Sequence, residues 1–150
     1  MEKVQKRTVF VGTFRHSVDE KKRLAIPAKW RGPASDAQEF FVMPLPNNHL
    51  FVLPESAMAT LLDRVDAISV GEYEQRNALR LIAGDAHQAQ CDGQGRIILT
   101  EELMRHAGIQ AEAVLVGTFR GFEIWSPERH AEVKQNTAGK FEESVKQLGL

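Results

Sequence analysis

Asp19 and Arg23 stand four residues apart, and Asp92 and Arg96 repeat that spacing. A carboxylate placed so can cap the turn between the two residues and pin the guanidinium. Arg23 is also equipped to grip guanine O6 and N7, or a phosphate, with two parallel hydrogen bonds. Lys21 and Lys22 sit at the tip of the first turn, where an ammonium group adds phosphate contacts that position a duplex without reading it. Arg15, on the strand entering the turn, joins them. The expected DNA contacts are therefore Arg15, Lys21, Lys22 and Arg23. The second turn, Gly93-Gln94-Gly95, lacks lysines and lies in an acidic half. Asp19, Asp92 and Arg96 are accordingly expected to hold the turns together or to meet a neighbouring subunit. Lys29 and Arg31 read as solvated helix residues ahead of DNA contacts.

Other chemistries lack their parts. Cys91 with His87 and Asp92 misses the paired ligands of a zinc site, so no metal is expected. The same thiol has no base and orienter arranged as a nucleophile requires. Gly93-Gln94-Gly95 is followed by Ile98, not by the third glycine of a dinucleotide fingerprint. No phosphate loop, serine-hydrolase elbow or His-Glu-x-x-His motif occurs. No catalysis, cofactor or small-molecule substrate is expected.

The elements that must position these turns are duplicated. At an offset of 73 residues, Asp19–Arg23 falls on Asp92–Arg96 and Leu24-Ala25-Ile26 on Ile97-Ile98-Leu99. Phe41-Val42-Met43 falls on Val114-Leu115-Val116, and Pro54-Glu55 on Pro127-Glu128. Each half reads as a strand into the turn (Thr8–Phe14; His87–Cys91) and a strand out of it (Arg23–Ile26; Arg96–Leu99). A short helix and two more β runs follow. The first short helix spans Pro27–Arg31, with Pro27 at its first position and Gly32-Pro33 as its stop. The second runs from a Thr100 cap to Gly108. Phe40–Met43 with Leu50–Leu53, and Ala113–Thr118 with Gly121–Trp125, close the halves through turns at Asn47-Asn48 and Arg120-Gly121. Leu61, Leu62, Val65 and Ile68, then Leu79, Ile82, Ala83 and Ala86, give two amphipathic helices between the halves. Helices are also expected at Glu128–Gln135 and Lys140–Leu148. Trp30 and Trp125 read as core residues.

Four short strands bury too little apolar surface to stand alone, so the halves should share one core. The expected divisions are 8–56 and 87–130 for the two units, 57–86 for a helical connector and 131–150 for a helical tail. Hydrophobic residues make up 43% of the chain, the ordinary share for a globular protein. No apolar run approaches the ~20 residues of a membrane span, and the N-terminus lacks the apolar stretch of a signal peptide. With one cysteine, a cytoplasmic location is expected. Net charge is −1, yet residues 1–31 hold nine Lys or Arg against three Asp or Glu. The rest holds ten against seventeen. That asymmetry points to an anionic partner for the basic end.

Phe10-Val-Gly-Thr-Phe14, Asp19–Pro27, Asp92–Leu99, Val114–Phe119 and Phe122–Trp125 together resemble the MraZ family, from about Val9 to His130. The resemblance implies an α+β fold of two tandem swapped-hairpin units of the AbrB/SpoVT type, forming a pseudo-dimeric β-rich core with helical connectors. It further implies a nucleoid-associated transcriptional regulator that binds double-stranded DNA through its N-terminal motif. The expected targets are short direct repeats upstream of the division and cell-wall gene cluster, bound by ring-shaped homo-oligomers. The family's turn usually reads Asp-x-Lys-Gly-Arg. Here Lys22 replaces that glycine while Gly95 retains it. Either the first turn takes another shape, or Lys22 tolerates a left-handed backbone at a cost of roughly 1 kcal/mol or more. The alternative function is an antitoxin-like oligomeric module. Its basic region would bind an acidic protein, with Glu55–Ile68 and Tyr73–Ala86 as docking helices.

Overall fold

A computed structural model describes residues 7–32 and 38–150. Lys3, Lys6 and Pro33 lie outside the described residues. Among the described residues, eight strands and five α-helices appear: β1 (Thr13–Ser17), β2 (Arg23–Ala25), β3 (Glu39–Leu45), β4 (His49–Pro54), α1 (Met58–Asp66), α2 (Tyr73–Asp85), β5 (His87–Gln90), β6 (Arg96–Ile98), α3 (Glu101–Ala107), β7 (Glu112–Gly117), β8 (Phe122–Trp125), α4 (Pro127–Thr137) and α5 (Phe141–Gln147). The fold is mixed α+β around an antiparallel sheet. No helix among the described residues is long and apolar enough to cross a membrane.

The six-stranded sheet has the order β1-β7-β8-β4-β3-β5, and β2 pairs with β6 in a separate ribbon. Advancing each first-half strand by the repeat offset turns the order around: β1 becomes β5, β3 becomes β7 and β4 becomes β8. The registers obey the same rule. Phe14 opposite Leu115 is matched by His87 opposite Val42, and Leu50 opposite Ile124 by Phe51 opposite Glu123. A pseudo-twofold axis therefore passes between β4 and β8 and through the β2–β6 ribbon. Strands β1, β2 and β5 each find their ladder partner in the other half, so the two halves interleave.

One core serves both. Phe10, Leu24, Trp30, Phe40, Leu50, Leu99, Leu115 and Phe122 are wholly buried in it. Trp30 stacks at 4.9 Å from Phe122 and donates its indole N–H to the Val11 carbonyl at 3.1 Å, so the ring is buried without leaving its polar atom unpaired. A smaller cluster of Met43, Leu53 and Ala57 lies under Leu61 and Ile82 of the connecting helices, whose remaining faces are open.

Local chemistry explains the boundaries. Thr100 Oγ1 accepts from the Leu103 amide at 3.2 Å, and Gly108 takes the left-handed conformation that ends α3. Asn47 and Asn48 both have positive φ in the three-residue turn that joins Leu45 of β3 to His49 of β4. Three expectations shift. The entering strand is Thr13–Ser17, not Thr8–Phe14, because Phe10 turns into the core and bridges only Phe119. The first short helix is a single tight turn, Ala28–Trp30, with Pro27 extended before it rather than inside it. In the β7–β8 turn the left-handed residue is Phe119, with φ of 72°. Gly121 is needed for another reason: a Cβ there would run into the Val52 carbonyl.

Candidate nucleic-acid interface

Each Asp-x-x-x-Arg turn is a closed set of hydrogen bonds. Asp19 Oδ1 accepts from the amides of Lys21 (3.0 Å) and Arg23 (2.8 Å), and its Oδ2 from Arg23 Nε (2.6 Å). Asp92 accepts from the amides of Gln94 (2.9 Å) and Arg96 (2.9 Å) and from Arg96 Nε (2.9 Å). The Arg23 amide, with that guanidinium and the Lys21 amide, holds the Asp19 carboxyl below its ordinary range despite partial desolvation. Asp92 is lowered in the same way, first by the Arg96 amide. Both carboxylates thus stay charged and keep the turns shut. Lys22 adopts φ of 62° where Gly95 adopts 78°. The first turn therefore has the same shape as the second, and Lys22 carries the strain.

The ribbon aims the two arginines. Leu24 and Ile97 face each other and are fully buried. Strand side chains alternate, so their neighbours must point the other way. Arg23 opposite Ile98, and Ala25 opposite Arg96, form the outward face. Its apolar member Ile98 is 54% exposed. Arg96 Nη1 lies 3.9 Å from Asp19 Oδ2, linking the second turn to the first within one chain. His16 Nδ1 contacts the Ala25 carbonyl oxygen at 2.7 Å and ties β1 to the ribbon.

The expected contacts fall into two groups. Lys21, Lys22 and Arg23 share the first turn, with Lys21 exposed and Lys22 3.7 Å from Glu101 of α3. Arg15 stands apart on β1, its guanidinium held by Glu112 of β7 at 2.6 Å. Lys29 is exposed, whereas the guanidinium of Arg31 lies against Gly95 of the second turn. Sequence reasoning passed over Ile98 and the placement of Arg31. The alternation around Leu24 and Ile97 could have revealed Ile98. Nothing local announces Arg31. Cys91 is buried, which pushes its thiol up and keeps it protonated. No group of three or more metal-ligating side chains gathers among the described residues.

The arrangement gathers Lys21, Lys22 and Arg23 at the first turn, with Arg96 following the second, side chains of the kind that contact phosphates and base edges. Relatives share nearly the whole chain. A protein from Thermomicrobium roseum named "Transcriptional regulator MraZ" is 36% identical over 82% of this chain and 85% of its own. Proteins of the same name from Pediococcus pentosaceus and Oenococcus oeni are 34% and 31% identical, each over 93% of this chain and 96% of theirs. The family profile described as "MraZ protein, putative antitoxin-like" matches residues 82–148. With the duplicated turns, the palindromic sheet and this kinship over most of its length, the chain belongs to the MraZ family.

Proposed function

We propose that the chain is a sequence-specific, DNA-binding transcriptional regulator that acts without catalysis. The observation that carries this reading is the ribbon. Its outward face presents Arg23 and Arg96, with Lys21 and Lys22 beside them. Arg23 reads a base edge or clamps a phosphate, and the lysines fix the register on the duplex. The targets are short direct repeats upstream of the division and cell-wall gene cluster, and copies of the chain assemble so that several weak contacts add. The protein works in the cytoplasm, on the nucleoid.

The test is binding to the duplex upstream of its own gene, with scrambled duplex as competitor, at about 150 mM salt. Selective binding that Arg23→Ala abolishes, with the fold intact, is the expected result. Equal affinity for both duplexes would overturn the reading and favour an acidic protein partner.

A further inference from the structure

The two turns have equal shape and unequal charge. The first carries Lys21 and Lys22 at its tip, and the second carries Gly93, Gln94 and Gly95. The swap of elements between halves decides what lies over each. After β2 the chain crosses to the second turn, where the Ile26 amide donates to the Gly95 carbonyl at 2.9 Å. After β6 it crosses to the first, where the Leu99 amide donates to the Lys22 carbonyl at 2.9 Å. Hence α3 brings Glu101 to Lys22, and the Ala28–Trp30 turn brings Arg31 to Gly95. The repeat places Met104 where Arg31 stands, so only the second turn receives a cation in this way.

We infer that Arg31 converts the second turn into a DNA phosphate site, supplying from the first half the positive charge that Gly93-Gln94-Gly95 lack. This rests on the DNA-binding reading above. Three observations support it. The guanidinium packs against Gly95, where any Cβ would displace it, and φ of 78° there also favours glycine. Among the described residues, the buried Arg31 Nε has no hydrogen-bond partner and the side chain forms no ion pair. A small concavity opens there, lined by Arg31, Gln38, Cys91, Asp92, Gly93 and Gly95. Asp92 adds no unpaired negative charge there, because its carboxylate is held by two amides and paired with Arg96. The site lies at the Gly93–Gly95 turn that leads into β6, the strand paired with β2 and its Arg23. A phosphate oxygen seated over Gly93 would meet a planar donor that loses little further freedom on binding, because it is already packed on Gly95.

The experiment measures affinity of full-length protein for the upstream duplex and for a mixed-sequence duplex, between about 50 and 200 mM salt. Arg31→Gln should weaken both roughly tenfold and flatten the log–log salt slope by about 0.9, one phosphate contact. Arg31→Lys should restore the slope. Gln94→Glu, at the exposed tip of the second turn, should weaken both duplexes and leave thermal stability unchanged, whereas Gln147→Glu on α5 should not weaken them. Wild-type slope in Arg31→Gln, or Gln94→Glu binding like Gln147→Glu, would overturn the inference while Arg23→Ala still supports the DNA reading. Absence of binding by the wild-type chain to either duplex would overturn both.

Discussion

Leu24 and Ile97 occupy equivalent positions in the two halves and lie directly opposite each other in the β2–β6 ribbon, both fully buried. The axis of the internal repeat therefore runs through a residue pair. Neither half can complete this contact, because β2 has no partner strand within residues 8–56.

It follows that a fragment of residues 1–56 should show no cooperative unfolding, and neither should residues 57–150. Mixed, they should regain a cooperative transition by circular dichroism. A monomeric 1–56 fragment with a sharp melt would contradict the shared core.

Lys22→Gly should separate stability from binding. Releasing the left-handed lysine recovers about 1 kcal/mol, partly offset by a freer unfolded chain. A net gain of about 0.5 kcal/mol in chemical denaturation is expected, together with a salt slope for DNA flatter by about one. A stability loss would show that the contact with Glu101 outweighs the strain.

Two glycine substitutions should move stability in opposite directions. A methyl at Gly117 would overlap the Phe10 carbonyl and the Val11 amide, so Gly117→Ala should cost about 2–3 kcal/mol. Gly84 in α2 faces open space, so Gly84→Ala should add about 0.5–1 kcal/mol. Denaturant midpoints would settle both.

Glu123 should contribute to the acid limit of stability. Burial pushes its carboxyl up, but hydrogen bonds with His49 (3.3 Å) and from Trp125 Nε1 (3.0 Å) outweigh that and hold it below its usual 4.5. A carboxylate depressed in the folded state stabilises fully above its unfolded value. That stabilisation disappears as pH falls through the lower folded value. Glu123→Gln should thus flatten the fall in stability below about pH 4.5, measured by urea titration at several pH values. An unchanged slope would assign the acid response to Asp19, Asp92 and other groups.

What the sequence disclosed was what short-range chemistry determines. Asp19 and Asp92 bond to amides two and four residues away, Thr100 caps its own helix, and Asn47-Asn48 closes its own turn. The offset between the halves also survived intact in the strand order. What stayed hidden depends on contacts between distant segments. Phe10 left the strand pattern because Trp30 and Phe122 bury it. Phe119 is left-handed because its amide and carbonyl both bond to Phe10. Arg31 reaches the second turn only because the halves exchange elements.

Joining the two units in one polypeptide has a consequence for direction. In a dimer of identical chains every substitution appears twice, so such a clamp looks the same from either end of a duplex. Here the two turns differ in one chain: lysines on one, glycines and an arginine from the other half on the second. On the proposed DNA reading, a surface with unlike ends would give the molecule a head and a tail along the double helix. Copies engaged side by side would then all face one way, matching sites that recur in the same orientation rather than as inverted pairs.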